Sequence, residues 1–349
     1  MEHPLLKRRV GRREWQNLSG HGNNKIFTTA LNYVLITPAR NEAQFIESAI
    51  HAVIRQTVRP LKWVIVSDGS TDATDDIVRK HTAAHPWIEL IRMPERRDRH
   101  FAGKAAAFNA GLGRVRNLPY DVIGNLDADV SFDERYCALL LDKFDEDPTL
   151  GVAGTPFKDP SLEYDYRFVS IEHVSGPCQM FRRECFEAIG GYQQARLGGV
   201  DHIAVISARM NGWRTQTYQD TFFVHRRPMG SCGQNALRSR FQNGAVDYAL
   251  GSHPVWELCR TAYQMTRRPH VVGALMLLAG YLSAAVRGEE RSVSREFVEF
   301  HRREQMQRLR AFLSAPLRPR SRGPAAASAF IKANSAFGSH RASVWRKAS

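Results

Sequence analysis

The chain has 349 residues, of which 43% are hydrophobic, and this length can bury one large core or two ordinary ones. Its five cysteines are scattered and contain no CxxC pair, which argues against a disulfide framework or a cysteine zinc site and favours a reducing compartment. No apolar run follows the basic residues near the N-terminus, so the sequence predicts no secretory signal and a cytoplasmic location.

Much of the net charge of +14 lies at the two ends of the chain. Residues 1–30 are polar and basic and predict a flexible leader, and residues 314–349 hold seven Lys or Arg residues and no acid, which predicts a disordered tail. Such ends bind an anionic membrane surface or nucleic acid, or stay solvated. Because no RNA-binding motif or zinc-finger spacing is present, we predict no nucleic-acid partner and keep the other two interpretations.

After the leader, strand and helix patterns alternate. Short apolar runs predict four buried parallel strands, at Tyr33–Ile36, Trp63–Val66, Ile88–Ile91 and Val122–Leu126. Pro38 is expected to end the first strand, and Asn41 to cap the helix that follows it. The alternation predicts a doubly wound, mostly parallel α/β sheet with right-handed crossovers. Ligands bind such sheets beyond the carboxyl ends of the strands, where three polar loops meet here: Pro38–Glu42, Ser67–Ser70 and Asp127–Asp129.

The pattern becomes mixed after Ser131. Strand-like runs at Val152–Phe157 and Cys178–Phe181 precede a helical pattern at Asp201–Met210, and the chain reads mainly as helix from about Asn243. Val271–Val286 is apolar but shorter than the ~20 residues of a spanning helix. It is therefore either an interfacial or re-entrant helix, or a helix that packs in the core or against another subunit. We therefore divide the chain into a leader (1–30), an α/β domain (31–235), a helical extension (236–313) and a tail (314–349).

Two carboxylates, Asp127 and Asp129, follow the fourth predicted strand directly. Hard oxygen ligands of this kind suit Mg²⁺ or Mn²⁺, and these ions bridge phosphate oxygens. Taken alone, such an acidic pair is more often part of a turn, and its setting at the strand end favours the metal site. Asp68 ends the second strand before Gly69, where a carboxylate accepts hydrogen bonds from a nucleobase or ribose, or caps a turn.

Five further polar residues carry a functional and a structural interpretation each. Lys104 opens an Ala-rich helix, where its ammonium meets a phosphate or is solvated. Asp201 starts a helix, where it acts as a general base or as the N-cap. A strand-like run ends at His225, Arg226 and Arg227. In the functional interpretation His225 is a third metal ligand and the two arginines clamp the diphosphate; in the structural one the three residues form a basic turn. No P-loop or GxGxxG fingerprint is present.

Taken in order, these segments resemble family 2 glycosyltransferases of the GT-A fold, a Rossmann-like nucleotide-sugar domain, from Tyr33 to about Arg227. The matching motifs are Thr37-Pro38-Ala39-Arg40-Asn41-Glu42, Val66-Ser67-Asp68-Gly69-Ser70-Thr71-Asp72, Gly103-Lys104 with Asn109, Asp127-Ala128-Asp129, Ser175-Gly176-Pro177-Cys178, Gly190-Gly191-Tyr192, and Asp201 leading to Asn211-Gly212-Trp213. Each motif is short, but their order and spacing together are specific.

The resemblance implies an inverting enzyme with a nucleotide-diphosphate-sugar donor and Mg²⁺ or Mn²⁺ as cofactor. It assigns Asp127 and Asp129 to the diphosphate–metal motif, with Asp129 the direct ligand. It also assigns Asp201 as the catalytic base, although many relatives have Glu-Asp where this chain has Val200-Asp201-His202. By position, the first loop and the second strand end match the nucleotide contacts, through Pro38, Arg40, Glu42 and Asp68.

The segment from His225 onward looks like bacterial polysaccharide-assembly relatives, which often work at the cytoplasmic membrane face on lipid-linked acceptors. We therefore expect a glycosyltransferase of cell-surface polysaccharide or glycolipid assembly, peripheral to the inner membrane, with a hydroxyl acceptor. One alternative is a nucleotidyltransferase, although Pro38–Glu42 lacks the Gly-rich loop that such an enzyme needs. Another is a non-catalytic nucleotide-sugar scaffold, against which the presence of Asp127, Asp129 and Asp201 argues.

Overall fold

The structure, a computed structural model, describes residues 31–95, 102–158, 170–227, 236–266 and 270–314. The predicted leader and the predicted tail after Ser314 lie outside these residues. The strands are β1 Tyr33–Ala39, β2 Lys62–Asp68, β3 Ile88–Met93, β4 Val122–Leu126, β5 Val130–Ser131, β6 Leu150–Gly154, β7 Phe157–Lys158, β8 Cys178–Arg182, β9 Arg214–Thr217 and β10 Phe223–His225. The helices are α1 Ile46–Ile54, α2 Thr74–Ala84, α3 Ala102–Val115, α4 Tyr136–Glu146, α5 Arg183–Ala188, α6 Val200–Met210, α7 Ala236–Ala249, α8 Pro254–Gln264, α9 His270–Val286 and α10 Arg295–Ser314.

A seven-stranded sheet in the order β3-β2-β1-β4-β8-β6-β9 forms the centre of the fold. All neighbouring strands are parallel except β8, which runs antiparallel to both β4 and β6. The predicted doubly wound, mostly parallel α/β sheet is therefore confirmed. The antiparallel β8 brings the segment before it to the carboxyl end of β4.

Each face of the sheet packs against its own hydrophobic core. Tyr33 and Leu35 of β1 point into a core formed with α1, α2 and α4, whereas Val34 and Ile36 point into a second core with α3, α5 and α6. Alternate residues of β1 are therefore buried on opposite faces. This burial on both sides explains why the strands appear in the sequence as continuous apolar runs.

The first strand continues past the proline that was expected to end it. Pro38 pairs with Val66 of β2, while the pairing with β4 stops at Ile36. At Pro38 the strand has one neighbour only, and proline is tolerated at such an edge position. The expected cap at Asn41 is also wrong, because α1 begins five residues later and Asn41 adopts a left-handed backbone with φ of +56°.

A second, three-stranded sheet in the order β5-β10-β7 was not predicted as a unit. The single strand expected at Val152–Phe157 is divided, since β6 ends at Gly154 and β7 starts at Phe157. The strand β5 has two residues and follows Asp129 immediately, so it carries no periodic signal of its own. Its pairing with β10 decides where the chain places His225.

Helices α7–α10 follow the α/β domain, as the expected helical extension. Helices α7 and α9 approach closely at two glycines: a Cβ on Gly244 would lie 1.9 Å from the Leu277 carbonyl oxygen, and a Cβ on Gly280 would lie 1.9 Å from that of Phe241. The run Val271–Val286 forms most of α9, with one side buried and the other exposed. Within the described ranges, every helix is too short or too polar to cross a membrane.

Candidate functional site

The loop after β4 presents Asp127 and Asp129 and is held by the segment before β8. The Asp127 backbone N–H donates to the Pro177 carbonyl oxygen at 2.8 Å. The Asn125 side-chain amide donates to the Gly176 carbonyl oxygen at 2.8 Å. These two bonds fix the carboxylates at the carboxyl edge of the sheet. No role for Asn125 was predictable from the sequence, because its partner is 51 residues away.

The small sheet brings His225 to the two carboxylates. His225 pairs with Val130, and the Arg226 backbone N–H donates to the Asp129 carbonyl oxygen at 2.8 Å. One ligand atom each from Asp127, Asp129 and His225 lies within 4.8 Å of the others. Two carboxylates and an imidazole form a donor set that suits Mn²⁺ or Mg²⁺. The three predicted metal ligands are thus neighbours in space.

Electrostatics at this group favour the binding of a cation. Asp129 is 8% exposed, and burial, followed by the neighbouring Asp127, raises its pKa. His225, Arg227 and Lys104 act in the opposite direction. A divalent cation between the carboxylates would offset both the repulsion and the lost hydration.

Lys104 projects from the first turn of α3 towards the same carboxylates. Its Nζ lies 2.5 Å from Asp127 Oδ1. Burial alone would lower the pKa of Lys104, but Asp127 and, beyond it, Asp201 and Asp129 raise it above its usual value. The ammonium is therefore held charged beside the metal candidates, near the N-terminus of a helix, where a phosphate group is also favoured.

The ends of β1 and β2 form the neighbouring part of the site. Arg40 Nη1 lies 4.0 Å from Asp68 Oδ2, and Asp68 is buried. Gly69, at φ +65°, lets the chain pass close to the next loop, since a Cβ there would lie 2.7 Å from the Glu95 Cα. Pro38 is partly buried within β1 itself. The arrangement leaves a carboxylate and a guanidinium at the strand ends, which suits a nucleoside.

The two predicted clamps separate in the structure. Arg227 pairs with Glu42 of the first loop, with Nη2 to Oε2 at 2.5 Å, and its Nε lies 3.7 Å from Asp129 Oδ2. Arg226 instead donates from Nε to Ser131 Oγ at 3.0 Å, within the small sheet. Arg227 therefore lies between the first loop and the carboxylate group, whereas the Arg226 side chain contacts β5.

Asp201 lies on the other side of the segment that holds the metal candidates. Helix α6 begins at Val200 after Gly199, so the alternative interpretation of Asp201 as the N-cap is wrong. Its side chain packs on the backbone of Gly176, where a Cβ would lie 2.3 Å from Asp201 Oδ2. Because the Gly176 carbonyl accepts the bond from Asn125, one short segment separates Asp201 from the Asp127 loop.

A row of three histidines leads away from Asp201 and was not detected in the sequence. The ring centroids of His173 and His202 are 5.3 Å apart, and those of His202 and His301 are 5.7 Å apart. Burial lowers the pKa of His173 to about 4, against the opposing charge of Asp201. No sequence signal could reveal this row, because the three residues belong to distant segments.

Comparison with known families matches residues 34–188 to Glycosyl transferase family 2. This stretch runs from β1 to the end of α5 and contains Lys104, Asp127 and Asp129. The resemblance to this family that the motifs indicated is confirmed over these residues. Asp201, His225 and Arg227 lie downstream of the matched residues.

Two curated relatives are polymer synthases. The chain is 25% identical to the chondroitin synthase of Escherichia coli over 177 residues, which are 47% of this chain and 24% of that protein. It is 31% identical to the poly-beta-1,6-N-acetyl-D-glucosamine synthase of Staphylococcus aureus (strain COL) over 117 residues, 33% of this chain and 26% of the relative. The matched region thus spans about a quarter of the length of these relatives.

Among solved structures, the chain is similar to the mannosyltransferase PcManGT from Pyrobaculum calidifontis, solved in complex with GDP-Man and Mn²⁺. The TM-score is 0.53 at 20% sequence identity, and the match covers 82% of this chain and 88% of the other. At this identity the likeness establishes the fold alone. The predicted GT-A architecture is confirmed.

Proposed function

We propose that the chain is a metal-dependent, inverting glycosyltransferase that moves a sugar from a nucleotide-diphosphate-sugar to a hydroxyl acceptor. The observation that carries this proposal is the group of Asp127, Asp129 and His225 at the carboxyl edge of the sheet, flanked by Lys104 and Arg227. The names of the synthase relatives support a role in polysaccharide assembly. The proposal extends to glycolipid acceptors and to the cytoplasmic face of the membrane.

On the donor side, the residues divide by chemistry. Asp68 and Arg40 would contact the nucleoside, with Pro38 and Glu42 shaping the first loop. Lys104 and Arg227 would face the diphosphate as cations. Asp127, Asp129 and His225 would hold Mn²⁺ or Mg²⁺, which when bound offsets the charge that develops on the departing diphosphate.

On the acceptor side, Asp201 would take the proton of the attacking hydroxyl group. The acceptor oxygen then forms a bond to the anomeric carbon from the face opposite the diphosphate, while the bond from that carbon to the phosphate oxygen breaks. Gly176 sets the distance between the base and the donor loop, because Asp201 packs directly on it. The division into leader, GT-A domain (31–235), helical extension (236–313) and tail remains part of the proposal.

Calorimetric titration of the full chain with UDP and then GDP, each with and without Mn²⁺, tests the donor site. We expect one of the two nucleotides to bind in a metal-dependent manner, and Asp129→Asn to abolish that binding. The matched control is Asp145→Asn, since Asp145 is exposed on α4, outside the site. Unchanged metal-dependent binding by Asp129→Asn, or no binding of either nucleotide to folded protein, would contradict the proposal.

Product analysis separates the alternative activities. A glycosyltransferase releases a nucleoside diphosphate, a nucleotidyltransferase releases pyrophosphate, and a scaffold releases neither.

A further inference from the structure

Helices α8 and α9 turn an apolar surface to the solvent. On α8, Val255 and Leu258, and at its C-cap Met265, follow one another at helical spacing and are exposed. On α9, Leu275, Leu282 and Val286 do the same, with exposures of 51%, 52% and 88%. We call these six residues the α8–α9 face.

The opposite sides of both helices are already used for packing. Leu277 and Gly280 of α9 are buried towards α7, and Glu257 and Thr261 of α8 are buried as well. A helix whose outer side faced only water would carry charged residues there. The exposed apolar residues therefore indicate a binding surface that an apolar partner covers.

The charges near the α8–α9 face distinguish a lipid bilayer from a second copy of the chain as the partner that covers it. Glu257 is the one acid in the sequence from Pro254 to Gly288, and it is 1% exposed. Beyond Gly288 the sequence continues with Glu289, which pairs with Arg196, and with the exposed Glu290. The sequence from Arg267 to Arg291 holds four arginines, Arg267, Arg268, Arg287 and Arg291, against these two acids, so the segment carries a net positive charge. A second copy of the chain would repeat this excess of cations. An anionic bilayer offers both hydrocarbon and negative headgroups.

We propose that the α8–α9 face docks flat on an anionic phospholipid bilayer, with its aliphatic side chains at the boundary between headgroups and acyl chains. Helix α9 has 17 residues, about 25 Å in length, and lies along the surface rather than across it. The geometry also relates this surface to the acceptor side, because Gln242 of α7 donates to the carbonyl oxygen of Leu197, four residues before Asp201.

Flotation of the full chain with phosphatidylcholine vesicles, with and without phosphatidylglycerol, tests the proposal. We expect binding to the anionic vesicles, and a loss of about tenfold or more in partitioning for the double variant Leu275→Gln/Leu282→Gln, because two leucines no longer enter the apolar phase. The matched control is Leu61→Gln, a change at an equally apolar exposed residue directly before β2, and it should bind as the wild type.

The basic ends of the chain remain intact in all of these variants, so the comparison isolates the helical surface. If the double variant floats like the wild type, the basic ends alone hold the lipid and the proposal fails. If the wild type ignores anionic vesicles and instead forms a dimer that the double variant dissociates, the face is an interface between copies, and the proposal also fails. Circular dichroism and urea unfolding show that the double variant is folded, which keeps this test independent of the proposed transferase activity.

Cys259 on α8 provides a second measurement, since it is exposed while Cys137, Cys178 and Cys185 are buried. In a Cys232→Ser background, an environment-sensitive fluorophore on Cys259 should shift to the blue on anionic vesicles. The same label on Glu184→Cys, in a Cys232→Ser/Cys259→Ser background, should not shift. Equal spectra for Cys259 with and without vesicles would overturn the proposed orientation.

Discussion

Gly176 has no side chain, and the Asp201 carboxylate occupies the space that a Cβ of residue 176 would fill. At the same time its carbonyl oxygen accepts the Asn125 amide that supports the Asp127 loop. A single residue thus contacts both the proposed base and the proposed donor loop. The requirement comes from close approach rather than from an unusual backbone, since Gly176 is not among the residues with positive φ.

We expect Gly176→Ala to lower kcat at least ~10-fold, because the new methyl group displaces the Asp201 carboxylate and general-base catalysis contributes about 10²–10⁴-fold. Nucleotide affinity should change much less, since the donor residues keep their own contacts. Steady-state kinetics and calorimetry measure the two effects separately. Gly113→Ala is the control, because a Cβ there meets nothing within 4 Å. An unchanged kcat in a folded Gly176→Ala protein would contradict the placement of Asp201.

At the scale of elements, the helical extension depends on the backbone contact between α7 and α9. Gly244 and Gly280 allow each helix to approach the backbone of the other to a distance that no side chain permits. Helix α9 gains its stability from this packed side, because its outer side remains apolar and exposed. The pair therefore positions the α8–α9 face.

Gly280→Ala should destabilise the protein by about 1–3 kcal/mol, the usual cost of overpacking, because the added methyl meets the Phe241 carbonyl. Urea unfolding measures the change. Gly113→Ala, on the exposed side of α3, should instead stabilise by roughly 0.5–1 kcal/mol, since it only restores helix propensity. Equal effects of the two substitutions would show that α7 and α9 do not pack as described.

At the scale of the whole molecule, helix α10 joins the extension to the α/β domain. Arg209 of α6 donates two hydrogen bonds to Glu304 of α10, at 2.9 and 3.0 Å, and both side chains are buried. Beside this pair, the row of His173, His202 and His301 crosses the same junction. Burial lowers the pKa of His202 well below its usual value and that of His301 to about 4.

These shifts predict a loss of stability in mild acid. Each histidine is neutral in the folded chain, whereas the unfolded chain takes up a proton near pH 6.5, so stability is complete above pH 6.5 and falls towards pH 4. Each histidine contributes a slope of up to about 1.4 kcal/mol per pH unit. Glu257 has the opposite effect on the pH dependence of stability. Burial, followed by the charge of Asp247, raises its pKa to about 8, so its contribution to the stability of the folded chain falls as the pH rises from 4.5 to 8.

Urea unfolding of His202→Asn between pH 7 and pH 4.5 should show a shallower pH dependence than the wild type. His51→Asn, a change at an exposed histidine of α1, serves as the control and should leave the slope unaltered. Parallel curves for the wild type and His202→Asn would mean that the row does not determine the acid sensitivity.

The sequence by itself determined the order of strands and helices as far as β4, and the residues at the carboxyl ends of β1, β2 and β4. Both are visible in short stretches of sequence. Strands that are buried on two faces appear as continuous apolar runs, and Gly and Asp, which favour turns, mark the ends of the strands. The Asp127-x-Asp129 pair and Asp68 were located in this way. Pro38 and Asn41 were misjudged, because the number of strand neighbours and the contact of Asn41 with Thr71 are not local properties.

The tertiary structure alone decided which of these residues meet. A two-residue strand, β5, pairs with β10 and so places His225 beside Asp129, although 96 positions separate them in the sequence. The same pairing gives the two arginines different contacts: the Arg226 side chain donates to Ser131 of β5, whereas Arg227 lies beside Asp129. The histidine row and the contact of Gly176 with Asp201 likewise join distant segments. Such contacts depend on strand pairing and helix packing, whose energies come from surfaces far apart in the chain, so no local pattern encodes them.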